Sequence, residues 1–360
     1  MLGVSSLVKV RKSGEKIRSY ILENIERYPN GIVKHAAERF QITRQAVNKH
    51  LKNLVAEKVL VQEGATRNLT YKLCPLAEFD KQYPLTPELQ EDVVWRNDIR
   101  PFLGQMPENV VDIWSYGFTE MFNNAIDHSE ATRISVHLEK TATGSEAWII
   151  DNGIGIFKKI QAALDLLDER HAVLELSKGK LTTDPTRHTG EGIFFSSRMF
   201  DNFRIISSGT HFSHQFGDEE DWVFEAQKPS TGTSVFMRLN NHTSRTTKKV
   251  FSEFSSGDDI GFTKTVVPVR LAQYGDDKLV SRSQAKRLLD RVDRFRTVLI
   301  DFDGVAVIGQ AFADEIFRVF RNSHPGIDLY AVNANTDIQD MVVRAQSVDL
   351  KFGVAAKDSR

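Results

Sequence analysis

Residues 108–131 read ENVVDIWSYGFTEMFNNAIDHSEA, and this stretch decides the fold of the central part of the chain. Its large apolar side chains recur every three or four residues, the spacing of one face of an amphipathic helix. On the same helix Glu120, Asn124 and Asp127 are spaced i, i+4 and i+7, so their polar groups lie in line on one side. Apolar runs within 134–150 predict a hairpin after it. We therefore expect a helix that buries one face and offers oxygen ligands on another.

Three further stretches continue the pattern toward the C-terminus. Residues 149–156, IIDNGIGI, predict a strand end that runs into Asp151 and two glycines. Residues 188–194, HTGEGIF, place a glycine-rich turn before a predicted helix over 192–200. Backbone amides at such a helix start favour phosphate, because their N–H groups lack partners within the helix. Residues 231–236, TGTSVF, predict a turn that leads into a strand.

The pattern E-x-x-x-N-A-x-x-H, given by Glu120, Asn124, Ala125 and His128, together with these stretches resembles the nucleotide site of the GHKL family, which includes gyrase, histidine kinases and MutL. The resemblance implies ATP and Mg²⁺ as cofactors, Glu120 as the catalytic residue that orients or deprotonates water, and Asp151 as the acceptor for the adenine amino group. Asn124 is the implied metal ligand, since Mg²⁺ prefers oxygen ligands and usually keeps waters. The implied nucleotide contacts are Asn124, Asp127, Asp151, Gly153, Gly155, Thr189, Gly190, Gly192 and Thr233.

Each motif taken alone also fits an ordinary solvated helix face or a plain turn. Their order along the chain favours a nucleotide site. Residues 157–187 would then form the ATP lid, in which Lys178, Lys180 or Arg187 are candidates to reach the terminal phosphate. His188 stands where related kinases commonly carry glycine, and the sequence has no helical hairpin with a phosphoacceptor histidine. A histidine kinase is therefore disfavoured, whereas a magnesium-dependent ATPase is not.

The N-terminal segment predicts three helices, over 14–28, 33–40 and 43–58, followed by two short strands around a polar tip at 63–68. ITRQAVNKHLKNLVAEKVL resembles the recognition helix of winged helix-turn-helix proteins, and the resemblance covers nearly all of residues 12–74. It implies duplex DNA as a partner. The implied contacts are Thr43, Arg44, Gln45, Asn48 and Lys49 to base edges and phosphates, and Lys52 and Arg67 to phosphate. The alternative is a docking or dimerisation module with a solvated charged face.

Charge supports the DNA interpretation. Residues 1–75 hold 14 Lys and Arg against 6 Asp and Glu, a surplus of +8, whereas the remainder holds 33 against 42, or −9. Nowhere do eighteen apolar residues run together, so we expect no membrane segment. Cys74 is the only cysteine, which excludes an internal disulfide and a thiolate metal cluster and fits a reducing cytoplasm.

The C-terminal segment alternates strands and helices, which predicts a small parallel or mixed sheet. Ser281 and Gln284 form a capping box at one predicted helix start. IDFDGV at 300–305, followed by a helix, resembles the STAS fold of anti-sigma-factor antagonists over roughly residues 260–350. That family's phosphoacceptor serine is replaced here by a stretch without a hydroxyl, IGQA at 308–311. Asp301 and Asp303 are interpreted as turn chemistry rather than a catalytic pair.

The sequence thus predicts a multidomain α+β protein: a winged helix-turn-helix (1–75), a linker (76–106), a GHKL α/β sandwich with a mixed sheet and helices on one face (107–240), a second linker (241–259) and a small STAS-like α/β domain (260–360). The expected function is a bacterial-type regulator of transcription that binds, and hydrolyses, ATP and couples nucleotide state to DNA binding. A homodimer and a protein partner through the STAS-like domain are further expectations. Two alternatives stay open: an anti-sigma-type serine/threonine protein kinase in a partner-switching pathway, and a non-catalytic interaction protein.

Overall fold

The computed structural model describes residues 12–64, 69–181, 190–217, 222–225, 231–255, 261–273 and 278–355. Two compact units are present. One comprises residues 1–80, 137–146 and 240–242, and the other comprises residues 81–136, 147–239 and 243–360. Among the described helices, none has both the length and the apolar character that a membrane crossing requires.

The first unit begins with three helices and an antiparallel hairpin, in the order predicted from the sequence. The elements are α1 (Lys12–Asn24), α2 (Ile32–Phe40), α3 (Arg44–Ala56), β1 (Leu60–Glu63) and β2 (Thr70–Leu73). Thr43 begins α3, because its hydroxyl accepts a hydrogen bond from the Ala46 amide at 3.2 Å. The helices surround a core of buried aliphatic residues that includes Ile21, Val47 and Leu51. The helical periodicity of these residues is therefore what holds the unit together.

A seven-stranded sheet with strand order β3-β4-β5-β9-β6-β7-β8 follows. Its strands are β3 (Ala77–Pro84), β4 (Arg133–Lys140), β5 (Gly144–Asp151), β6 (Asn202–Ser207), β7 (Thr210–Gln215), β8 (Trp222–Glu225) and β9 (Thr233–Asn240). Strand β6 pairs antiparallel with β7 on one side and with β9 on the other. The sheet brings Asp151, at the end of β5, beside Thr233, at the start of β9. This proximity of two strand ends positions the candidate site.

The helices that accompany the sheet are α6 (Glu108–His128), α7 (Ile156–Leu164), α8 (Glu169–Lys178) and α9 (Gly192–Met199). Helix α6 packs against α9, and its Trp114 meets Phe200 edge to face at 4.9 Å between ring centroids. Gly117 lies at this crossing, where a Cβ atom would overlap the Phe200 ring. The apolar face predicted for residues 108–131 is thus the face that packs on the interior.

Ordered elements occupy the two segments for which linkers were expected. Between residues 76 and 106 the chain forms β3, α4 (Glu91–Val94), a π-helical turn at Trp95–Ile99 and α5 (Arg100–Leu103). Between residues 241 and 259 it forms α10 (Thr247–Glu253), which buries Val250. The prolines that suggested a linker lie where proline is tolerated, since Pro84 ends β3 and Pro101 lies in the first turn of α5.

The C-terminal part of the second unit has a three-stranded parallel sheet with order β10-β11-β12. Its elements are β10 (Lys264–Pro268), α11 (Arg282–Leu289), β11 (Thr297–Asp301), α12 (Gln310–Asp314), α13 (Arg321–Ser323), β12 (Asp328–Val332) and α14 (Thr336–Ala355). The predicted capping box at Ser281 and Gln284 is present. A π-helical turn, Glu315–Phe320, joins α12 to α13, so the predicted helix is continuous but not uniform.

Candidate functional site

One cavity of about 270 Å³ brings four separated stretches of the second unit together. Residues of α6, the end of β5, the start of α9 and the start of β9 all line it. The polar and glycine lining residues are Glu120, Asn123, Asn124, His128, Ser129, Asp151, Lys159, Gly190, Gly192 and Thr233. The apolar ones are Met121, Ala125, Ile149, Ile156, Ile160, Leu176, Leu181, Ile193, Phe194, Ile205 and Val235. Such a mixture, mostly apolar with a few convergent polar groups, is typical of a small-molecule site.

Asp151, which lines the cavity, is buried, with 5% of its surface exposed. Its Oδ1 accepts hydrogen bonds from the Gly153 amide at 2.8 Å and from the Thr233 amide at 3.2 Å. Burial raises the pKa of Asp151, while these hydrogen bonds oppose that rise. A carboxylate offers about four lone-pair positions, so Asp151 keeps acceptor capacity for a ligand N–H group.

Close backbone approaches hold Asp151 in place. A Cβ atom at Gly153 would overlap the Ser129 carbonyl oxygen, and a Cβ atom at Gly232 would overlap the carbonyl of Asp151 itself. Gly155 has a φ of +90°, a conformation that side chains rarely adopt, and it precedes α7. The Thr233 hydroxyl accepts a hydrogen bond from the Ile156 amide at 3.0 Å. These glycines therefore allow the close backbone packing of the loop that follows Asp151.

Glu120, which also lines the cavity, lies against the start of α9. A Cβ atom at Gly192 would overlap a carboxylate oxygen of Glu120, so a larger residue there would displace this carboxylate. Glu191 precedes the helix, and burial raises the pKa of its carboxyl group while Lys180 opposes the rise. Burial also raises the pKa of Tyr116, with the charges of Glu120 and Glu191 adding to the effect. Acidic groups thus crowd a helix N-terminus that favours anions.

The cavity is lined by most, but not all, of the residues that were assigned to nucleotide contact. Glu120, Asn124, Asp151, Gly190, Gly192 and Thr233 line it, whereas Gly153 and Gly155 support it from the loop behind Asp151. Asp127 is exposed and is not among the residues that line it. Successive helix residues point about 100° apart, and His128, the next residue, is the one that lines the cavity at this level. Thr189 lies outside the described residues.

Several lining residues were not singled out from the sequence. Lys159 on α7 contributes a cation and pairs with Glu130 at 3.1 Å. Leu176 at the end of α8 and Leu181 beyond it supply apolar wall. The helical spacing of α7 and α8 predicts that one face of each helix is buried. It does not predict which buried residues line a ligand cavity and which pack only against the core.

The expectation that Lys178 reaches a phosphate is wrong for this structure. Its side chain is only 2% exposed, and its ammonium nitrogen lies 2.5 Å from a carboxylate oxygen of Glu175. Lys180 donates to the Arg294 carbonyl at 3.1 Å. The buried Lys178 ammonium also donates to the Asp290 carbonyl at 2.9 Å, so both lysines contact the C-terminal part of the second unit. Arg187 lies outside the described residues.

The residues proposed to meet DNA share one surface of α3. Thr43, Arg44, Gln45, Asn48, Lys49 and Lys52 are all exposed. Within the described part of the chain, the Thr43 side chain makes a hydrogen bond, as the helix cap. The side chains of the other five take part in no hydrogen bond or ion pair there. Arg67 lies outside the described residues. The opposite face of α3 is buried in the core, so the six side chains are directed to solvent.

The C-terminal sheet carries a second polar group, at the end of β11. Asp301 is buried and accepts hydrogen bonds from the Asp303 amide at 3.1 Å and from the Asn333 side chain at 3.0 Å. These contacts are turn chemistry, as expected. In the described residues no set of three or more His, Cys, Asp and Glu side chains is arranged to hold a metal ion.

Comparison with known proteins identifies this C-terminal part. Residues 284–339 match the family model of a STAS-like domain of unknown function (DUF4325). The C-terminal part is STAS-like. The match begins within α11, covers β11, α12, α13 and β12, and ends within α14. No curated protein matches the chain in a sequence comparison.

Proposed function

We propose that this chain is an ATP-binding regulator whose second unit holds the nucleotide in the cavity around Asp151 and Glu120. The observation that carries the proposal is the convergence of six residues from four separated stretches on one cavity. These six are Glu120, Asn124, Asp151, Gly190, Gly192 and Thr233. The stretches were singled out from the sequence by their resemblance to GHKL nucleotide motifs, and their order and elements fit that resemblance.

Two groups of lining residues, around Asp151 and around Gly192, fit the two ends of a nucleotide. The buried Asp151 carboxylate, oriented by the Gly153 and Thr233 amides, would accept a hydrogen bond from an exocyclic amine and thereby select adenine. The amides that begin α9 at Gly192 would bind phosphate oxygens. The apolar residues between the two ends would cover the base and exclude water.

Asn124 and Glu120 lie one helical turn apart at the cavity, which fits a metal-assisted hydrolysis. Asn124 would supply a single oxygen ligand to Mg²⁺, which neutralises phosphate charge when bound. Glu120 would orient a water molecule and take its proton at a carboxylate oxygen. The contact of Glu120 with Gly192 keeps this carboxylate next to the phosphate-binding turn.

Binding and turnover should separate in two variants of α6. With magnesium present, we expect Asn124→Ala to abolish ATP binding measured by equilibrium dialysis. Glu120→Ala should keep binding and lose phosphate release. Asp127→Ala is the matched control, because Asp127 is on the same helix but does not line the cavity. Wild-type protein that fails to bind ATP would reject the nucleotide site, and unchanged hydrolysis by Glu120→Ala would reject its role.

The same proposal includes DNA binding by the first unit as a winged helix-turn-helix. It is supported by the excess of Lys and Arg over Asp and Glu in residues 1–75 and by the exposed polar side chains on α3. We expect duplex binding whose affinity falls steeply with salt, since phosphate contacts release counterions. Lys49→Ala should lower the salt slope by about 1, whereas Glu38→Ala, on α2, should not lower it. A first unit that shows no salt-sensitive binding to any duplex is a docking module instead.

Nucleotide and DNA would regulate each other in such a protein. If ATP changes DNA affinity by some factor, DNA changes ATP affinity by the same factor. Gel shifts with and without a non-hydrolysable ATP analogue measure that factor. Equal DNA affinity with and without the analogue would show that the bound nucleotide does not control DNA binding.

The STAS-like match beside the cavity favours one further candidate, an anti-sigma-type protein kinase. In that case label from ATP labelled at the terminal phosphate would appear on a protein serine or threonine. The α12 start at Gln310 and Ala311 offers no hydroxyl, so we expect no label at that position of this chain. Label in free phosphate alone, after incubation with candidate partner proteins, would speak against a kinase.

A further inference from the structure

One wall of the cavity is formed by a short segment that also faces the STAS-like part. We refer to residues 175–181, which span the end of α8 and the turn after it, as the coupling segment. Leu176 and Leu181 line the cavity. The Leu181 amide donates to the Gly190 carbonyl at 3.1 Å, which ties the segment to the turn before α9. A displacement of this segment would therefore change the cavity at two points.

Lys178, which lies between those leucines in sequence, contacts the STAS-like part. The Lys178 ammonium donates to the Asp290 carbonyl at 2.9 Å and to the Arg287 carbonyl at 3.4 Å, in addition to Glu175 at 2.5 Å. The two carbonyls lie in the last turn of α11 and on the residue that follows it, where the helix dipole attracts a cation. Lys178 thus completes a helix end that belongs to the STAS-like part.

Two neighbouring residues repeat this arrangement. The Lys180 side chain donates to the Arg294 carbonyl at 3.1 Å, and the Arg294 side chain donates back to the Lys180 carbonyl at 2.9 Å. The Thr265 hydroxyl donates to the Lys178 carbonyl at 2.6 Å. Gly179 separates the two lysines with a φ of +81°, and a Cβ atom there would crowd the Phe262 ring. Hydrogen bonds with the STAS-like part therefore hold both the lysine side chains and the backbone of residues 178–180.

Aromatic packing forms a parallel connection. Phe194 of α9 lines the cavity, and its ring centroid lies 4.5 Å from that of Phe262. Phe262 in turn lies 5.1 Å from Phe295, within the matched STAS-like residues. The Lys180 ammonium lies 4.8 Å from the Phe295 ring centroid. The polar and aromatic contacts thus meet at Phe295.

We propose that the STAS-like part regulates the nucleotide cavity through the coupling segment. Contacts from Thr265, Asp290 and Arg294 keep the wall of Leu176 and Leu181 in the position that completes the cavity. A partner that moves the end of α11 would withdraw those contacts and weaken nucleotide binding. By reciprocity, nucleotide in the cavity would stabilise the contacts with the STAS-like part. This inference rests on the proposed ATP site.

Two substitutions on the STAS-like side test the proposal in the full chain. Arg294→Ala removes the hydrogen bond to the Lys180 carbonyl, and Thr265→Val removes the one to the Lys178 carbonyl with little change of shape. Neither residue lines the cavity. We expect each to weaken ATP binding about five-fold or more, the lower end of ordinary coupling between sites. Arg296→Ala is the control, because Arg296 is exposed and its side chain makes no contact with the coupling segment in the described residues.

Hydrogen exchange distinguishes coupling from a loss of global stability. In ligand-free protein, both variants should speed exchange of the Leu181 amide and of residues 190–195 without lowering the melting temperature of the second unit. ATP should slow exchange of residues 287–295 in the wild type and less so in the variants. Unchanged ATP affinity in Arg294→Ala and Thr265→Val would overturn the inference. If the wild type binds no ATP, the proposed function fails by itself, and unchanged exchange at Leu181 then overturns the coupling as well.

Discussion

The buried pair of Glu175 and Lys178 gives the sharpest prediction for stability. The two side chains are 5% and 2% exposed and lie 2.5 Å apart, so neither charge is solvated by water. Replacing Lys178 with Met leaves the Glu175 carboxylate buried without its cation. Removing one partner of a buried pair costs about 3–5 kcal/mol. We therefore expect Lys178→Met to lower the free energy of unfolding of the second unit by about that amount.

Urea unfolding followed by tryptophan fluorescence measures the change. The double variant Glu175→Met/Lys178→Met removes both charges and should recover at least about 1 kcal/mol of the loss, since buried pairs are often replaceable by apolar residues of similar size. A Lys178→Met protein that loses less than about 1 kcal/mol would refute the reasoning. So would a double variant whose loss equals the sum of the two single losses.

The same variant should show a pH dependence of known sign. Burial raises the pKa of Glu175 and the Lys178 charge opposes that rise, so loss of Lys178 raises the pKa further. A carboxyl group with a higher pKa in the folded state takes up protons on folding, and its folded state loses stability as the pH rises from the unfolded to the folded pKa. The stability difference between wild type and Lys178→Met should therefore be larger at pH 8 than at pH 5. A difference that grows toward acid pH would contradict this account.

Three further predictions concern individual positions. Gly153→Ala should lower the thermal stability of the second unit and weaken ATP binding, because the new Cβ atom would overlap the Ser129 carbonyl, whereas Gly326→Ala, with open space around it, should change neither. Thr43→Ala should destabilise the first unit by about 1 kcal/mol in urea unfolding through loss of the α3 cap, and equal stability would mean that the cap is replaced. Asp151→Asn should reduce the preference for ATP over GTP in competition binding, since an amide no longer presents two acceptor oxygens; an unchanged preference would exclude base selection by Asp151.

Much of the secondary structure could be predicted, because helix and strand periodicity is a local property. The α6 face, the two short strands of the N-terminal hairpin, the capping box at Ser281 and the alternating elements of the C-terminal part follow from residues close in sequence. The structure of the segment from 76 to 106 was harder to predict from the sequence. Its prolines suggested a linker, yet Tyr83, Val94 and Ile99 are buried there. Single apolar residues among charges reveal their burial only when distant elements pack on them.

The candidate site shows the same division. Glu120, Asn124 and Asp151 could be chosen from sequence, because motif spacing on a helix and at a strand end is local. Asp127 could not be excluded from sequence. Its spacing places it in line with Glu120, but His128, about 100° further around the helix, lines the cavity and Asp127 does not.

By itself, the sequence determined the order of helices and strands, the glycine turns and the oxygen-bearing face of α6, because each depends on neighbours within a few residues. Only the tertiary structure decided that those stretches share one cavity and that Lys178 turns away from it to the end of α11. The physical reason is that the Glu175 carboxylate lies three residues from Lys178 in sequence, whereas the two carbonyls do not. Arg287 and Asp290, over a hundred positions away, bring those carbonyls to the buried ammonium, which needs them as acceptors.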